Sequence, residues 1–167
     1  MVKPGRMLRH LLPPPWWMLR RSFDTAALQA IEAAVVAAEC THRGEIRVAI
    51  EAALDLRLLL RDASVRERAI EVFSELHVWD TAENNGVLIY VLLADHDVEI
   101  VADRGIAMLV ESAEWQAVCE AMEQQLRAGN YQAGAVTGIQ QVSALLARHF
   151  PGRDAAGNEL PDRPHLL

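Results

Sequence analysis

The chain has 167 residues, 51% hydrophobic and 23% charged, enough apolar chain for one domain with a real core. Its formal charge of −7 is unevenly spread: Lys3, Arg6, Arg9, Arg20 and Arg21 meet no acid in the first 21 residues, which leaves eleven basic residues against 23 acids in the body. An acidic body argues against nucleic acid as a partner, since such binding needs a basic surface that releases counterions, and no apolar run is long enough to span a bilayer.

Residues 1–21 read as a basic arm. Leu8, Leu11 and Leu12 are interspersed with Arg9 and His10, Pro13 to Pro15 form a polyproline-type spacer, and Trp16-Trp17-Met18-Leu19 leads into Arg20-Arg21. The prolines and the arginine pair do not fit a secretory signal. Tryptophan beside arginine suits an anionic membrane surface, where the indole is amphipathic and the cation meets headgroups. Packing of both indoles on the body is the equal alternative. Two cysteines without CxxC spacing, Cys40 and Cys119, favour a reducing compartment. The location expected is therefore cytoplasmic, peripheral to the inner membrane.

Asp24 is a good cap for a first helix, whose stripe is Leu28, Ile31, Val35 and Ala38. Glu45 to Glu51 alternates with period two and predicts a strand with Ile46, Val48 and Ile50 on the core side. The leucine-rich stretch from Leu54 to Leu60 fits a helical turn or a loop equally well. Ser64 and Glu67 form a capping box for a second helix, expected to bury Ile70, Phe73 and Leu76. A helix between two strands implies that they are parallel. Val87 to Leu93 is continuously apolar, as a central strand covered on both faces should be. Asp95-His96-Asp97 is a turn, so Val98 to Ala102 returns antiparallel. Ser112 caps a third helix with Trp115, Val118, Met122 and Leu126 inside, and Asn130 a fourth with Val136, Ile139, Val142 and Leu146. Residues 151–167, rich in Pro, Gly and Asp, read as a flexible tail. The fold class predicted is α/β: a three-layer α/β/α sandwich over residues 22–150, with about four helices and a small mixed sheet of two parallel strands plus an antiparallel hairpin strand.

That topology gathers polar residues at one end of the sheet: Arg43, Gly44, Glu45, Asp80, Glu83, Asn84, Asn85, Asp103 and Arg104. Glu45, Asp80, Asn84 and Asp103 are hard oxygen donors of the kind Ca2+ or Mg2+ prefers. Gly86 and Gly105 allow a backbone to approach a ligand, and Arg104 can grip a phosphate. The plainer reading is that Asn, Asp and Gly gather wherever strands meet loops. Asp95, His96 and Asp97 fall at the opposite end, where a hairpin turn accounts for them. Cys40 and His42 have ligand-like spacing without a second pair.

The ordered set Trp79, Asn84-Asn85-Gly86-Val87-Leu88-Ile89, Asp95-His96-Asp97-Val98-Glu99-Ile100 and Gly105-Ile106 resembles the TPM domain family, as does Gly129 to Gly134 ahead of the last helix. That family takes in thylakoid lumen acid phosphatases, photosystem II repair proteins and bacterial envelope proteins. The resemblance spans Leu28 to Phe150 and implies an α/β/α sandwich with its functional groups at the Asp-Asn-Gly loop. Asn85 and Gly86 match that loop, while Asn84 stands where an aspartate is usual. Asp103-Arg104 replaces a Gly-Tyr pair, and His96 replaces an arginine. Two functions are expected. One is an accessory binding module for a divalent ion or an envelope protein partner, held near the inner membrane by the arm, with Asn84, Asn85, Gly86 and Gly105 binding the ligand. The other is a phosphomonoesterase in which Asp80 or Asp103 attacks and Arg104 holds the phosphate.

Overall fold

The apolar run is a strand, β2 (Gly86–Leu92), and every one of its residues is buried. The computed structural model, which describes residues 4–12, 14–153 and 157–167, flanks it with β1 (Glu45–Glu51) in parallel and β3 (Asp97–Ala102) in antiparallel pairing. Glu45 sits opposite Gly86, and Val87 opposite Ala102. A short fourth strand, β4 (His165–Leu166), runs parallel to β1 and completes the order β3-β2-β1-β4.

Helices cover both faces. On one lie α3 (Thr25–Glu39), α7 (Ser112–Arg127) and α8 (Tyr131–His149), whose Ile31, Val35, Val118, Met122, Leu126, Ile139, Val142 and Leu146 pack on Ile46, Val48, Ile50, Ile89 and Val91. On the other lie the short α4 (Leu56–Leu60) and α5 (Val65–Glu75), whose Leu59, Ala69 and Val72 meet Ala49, Leu88, Tyr90 and Leu92. Strand side chains alternate between these two cores, as the pleat requires. The three layers are those predicted. The one-turn α6 (Arg104–Ala107) follows β3.

Several local signals act as read. Asp24 accepts from Ala27 N at 2.8 Å and caps α3, and Ser64 and Glu67 close their capping box on α5. Others differ. The helix α5 buries Val65, Ala69 and Val72 and leaves Ile70 47% exposed, so its inward face is rotated from the one expected. Glu111, not Ser112, is the N-cap of α7, and it forms a capping box with Glu114.

The chain also holds more helix than the four expected: eight among the described residues. Two of the additions come from the arm, α1 (Pro4–Leu11) and α2 (Pro15–Ser22), the latter with Pro15 in the first turn, where its missing N–H costs nothing. Lys3, Pro13 and residues 154–156, assigned by sequence to the arm and the tail, lie outside the described residues.

The reading of 151–167 as a flexible tail is corrected over 157–167. Leu160 is buried in the α5-side core, its N–H donates to Glu45 Oε2 at 3.0 Å, and Arg47 Nη1 donates to Pro161 O at 2.7 Å and to Arg163 O. Leu167 N then bonds Ile50 O at 3.0 Å. Proline- and aspartate-rich composition hid this strap because its hold on β1 comes mostly through backbone groups.

Candidate functional site

The antiparallel register of β2 and β3, with Val87 opposite Ala102, places the loop before β2 beside the end of β3. Asp103 N donates to Gly86 O, and Gly105 N donates to Asn84 O, both at 2.9 Å. Asn84 adopts φ 53, a left-handed conformation that Asn tolerates better than most residues. The glycines are there for contact rather than for turning. A Cβ on Gly86 would stand 2.1 Å from Val78 O, and one on Gly105 would meet Asn84 O at 2.5 Å and Glu83 O at 2.7 Å.

Side chains tie this loop pair together. Arg43 donates from Nε to Glu83 Oε1 at 2.8 Å and from Nη2 to Glu83 Oε2 at 3.2 Å. Those bonds and the charge of Arg43 hold the Glu83 carboxyl below its ordinary value. Asn85, 1% exposed, donates from Nδ2 to Arg43 O at 2.9 Å. Asp103 caps α6, its Oδ1 accepting from Arg104 N at 2.7 Å. Exposed Arg104 donates from Nε to Asn84 Oδ1 at 3.2 Å, and its terminal nitrogens donate to nothing among the described residues.

Two oxygens remain over. Asn85 Oδ1 and Asp103 Oδ2 are buried and accept no hydrogen bond. Leaving such a group unpaired costs about 1–3 kcal/mol, so a pair of them on adjoining loops requires an explanation.

Of the residues expected here, Asn84, Asn85, Gly86, Asp103, Arg104 and Gly105 share the loop pair. Glu45 lies across from Gly86, but its carboxylate is turned to the strap, where it receives Leu160 N. Asp80 is exposed after α5, and its carboxylate has no partner among the described residues. Those residues contain no group of three or more His, Cys, Asp and Glu side chains able to hold a metal ion. A hard cation here would therefore rest on one carboxylate, a side-chain amide and main-chain carbonyls. That donor set fits Ca2+ in kind and is low in charge.

Sequence reasoning passed over Glu39 and read Asp95 only as part of a hairpin turn. Glu39, at the end of α3, accepts from Ile46 N at 2.9 Å, and burial, with Glu45 and Asp162 nearby, pushes its carboxyl up to about 8. At the other end of the sheet, Asp95 anchors the arm: Arg6 Nε and His10 Nε2 reach its Oδ2 at 3.0 and 3.1 Å, and Arg9 pairs with its Oδ1 at 3.0 Å. Burial alone would raise the Asp95 carboxyl, but His10 and Arg6 outweigh it and hold it at about 2. The spacing of Arg6, Arg9 and His10, three and four residues apart, marks one helix face and was the available signal.

A layered α/β/α domain with a polar loop pair at the start of its parallel strands is the class this geometry defines. The chain matches the TPM domain model over residues 20–145 and belongs to that family. Its fold is similar to that of the BA42 protein from the psychrophilic bacterium Bizionia argentinensis, solved by NMR. The TM-score is 0.76 and the identity 32%, over 87% of this chain and 95% of that one. No curated protein matches the chain.

Proposed function

We propose that this TPM domain is a binding module that takes a divalent cation, Ca2+ before Mg2+, at the loop pair 83–86 and 103–105. The observation that supports this reading is the pair of buried oxygens without hydrogen-bond donors, Asn85 Oδ1 and Asp103 Oδ2. Both are hard donors, and Ca2+ accepts irregular coordination more readily than Mg2+. Asp103 Oδ2 and Asn85 Oδ1 would hold the ion, which would supply positive charge to the loop and a docking point for an acidic or carbonyl-bearing partner. With so little ligand charge the affinity belongs in the range of ~10⁻⁴–10⁻³ M.

A second reading, phosphomonoester hydrolysis, draws on Arg104. Asn84 steadies its Nε, leaving the guanidinium edge turned to nothing in the described chain and suited to a phosphate. The nucleophile would have to be Asp103 or Asp80. Asp103 Oδ1 is committed to the helix cap and Oδ2 is buried, which suits a ligand better than an attacking group.

Titration calorimetry of the full chain with CaCl2 and MgCl2 tests the first reading. Saturable heat with Ca2+ is expected, and its loss in Asp103→Asn, which keeps the cap. Absence of heat at millimolar Ca2+ removes the cation. Hydrolysis of an aryl phosphate that disappears on replacing Asp103 or Asp80 would establish the second reading instead.

A further inference from the structure

The arm is inside out. Three of the polar side chains of α1 face the body: His10 is buried, its Nδ1 accepting from Leu54 N at 2.9 Å, Arg6 bonds Ala63 O and Asp95, and Arg9 pairs with Asp95. Leu8, Leu11 and Leu12 point away, 61%, 49% and 62% exposed, while Met7 is half-buried. In α2, Met18 and Leu19 pack against the main core, while Trp16 and Trp17 stay 63% and 40% exposed. Five large apolar side chains within ten residues thus stand in water, an arrangement a soluble surface rarely keeps without a use.

Charge identifies what covers them. Arg20 and Arg21 are exposed beside the tryptophans, make no ion pair among the described residues, and Arg21 lies 5.1 Å over the Trp17 ring. The nearest acid in sequence, Asp24, is occupied in capping α3. A symmetric contact between two copies would set these arginines against each other. An anionic bilayer offers headgroup phosphates to the arginines, an interface to the indoles and acyl chains to the leucines.

We propose that α1 and α2 form an interfacial membrane-docking surface, with Leu8, Leu11, Leu12, Trp16 and Trp17 entering the headgroup region of an anionic bilayer and Arg20 and Arg21 contacting its phosphates. No helix among the described residues is long and apolar enough to cross a membrane, so the contact lies in the plane of the surface. It is independent of the cation site. The acidic body opposes it, so binding is weak and falls with salt.

Flotation of the full chain in EDTA tests this, with vesicles of phosphatidylcholine and phosphatidylglycerol in equal parts against phosphatidylcholine alone. The protein should float with the anionic vesicles only. Leu8→Ser combined with Trp16→Ser and Trp17→Ser should weaken binding at least ~10-fold. Arg20→Gln and Arg21→Gln should each weaken it roughly fivefold. Far-UV circular dichroism confirms that the variants fold, and the arginine changes, on an exposed helix end, keep the test alive if the apolar variant does not. A wild-type chain that stays with the pellet overturns the proposal. So does an apolar variant that floats like wild type, or light scattering that shows a dimer the apolar variant makes monomeric.

Discussion

The two ends of the sheet treat polar groups in opposite ways. Where β1 and β2 finish, the groups largely satisfy one another: Asp95 Oδ1 accepts no hydrogen bond but is ion-paired with Arg9 at 3.0 Å. Tyr90 Oη donates to Glu51 Oε2 at 2.6 Å, Arg68 Nε reaches the same oxygen at 2.9 Å, and Asp95 collects Arg6, Arg9 and His10. Burial and the adjacent Glu51 carboxylate push the Tyr90 hydroxyl far above its ordinary range, so it remains a donor. Where β1 and β2 begin, the loops are just as tightly built, yet Asn85 Oδ1 and Asp103 Oδ2 have nothing to accept from. A closed network contributes stability, whereas a network with acceptors left over has capacity for something outside the chain. On the proposed reading, the difference separates a structural end from a binding end.

Mutations should divide along the same line. The largest loss is expected from Asp95→Ala, which strands His10 Nε2 and two arginines: about 3–5 kcal/mol by urea unfolding, with the arm opened to proteolysis. Because the Asp95 carboxyl is depressed, its contribution is present above the ordinary value of 3.8 and is lost as pH falls through about 2. Wild type should therefore lose part of its margin over Asp95→Ala in strong acid. Tyr90→Phe removes one bond to Glu51 while Arg68 stays, and about 1–2 kcal/mol should go.

Where β1 and β2 begin, the effects turn on pH and, on the proposed reading, on ligand. Glu39 is raised from 4.5 to about 8, so its contribution is full below 4.5 and is lost as pH rises through about 8. Glu39→Gln keeps an oxygen for Ile46 N and should flatten the fall in melting temperature between pH 5 and 9, as calorimetric scans can read. The smallest change in stability belongs to Asp103→Asn, within about 1 kcal/mol, since asparagine caps a helix as well as aspartate. Comparable losses from Asp95→Ala and Asp103→Asn would erase the distinction between the ends.

The layered fold was legible because its signals are local and periodic: the apolar run of β2, the alternation of β1, and the caps at Asp24 and Ser64. Pairing direction followed from the length of the connections, and that in turn brought Asp103 beside Asn84 and Asn85. The direction in which a carboxylate turns is not a local property. Glu45 alternates as any strand residue does, and only the returning strap, some 115 positions on, determines that it binds Leu160 N. The strap itself was hidden because Arg47 and the β4 ladder hold main-chain atoms, which leave no side-chain pattern. The Arg6, Arg9 and His10 face was visible, but its target Asp95 had already been explained by the hairpin turn.

The claim that the start of β2 is a cation site is tested most directly by amide NMR of the full chain during Ca2+ titration. Saturable shifts centred on Asn84, Asn85, Gly86, Arg104 and Gly105 are expected, and they should be absent in Asp103→Asn. Shifts spread over the acidic surface without saturation, or shifts at these amides that persist in Asp103→Asn, would contradict it.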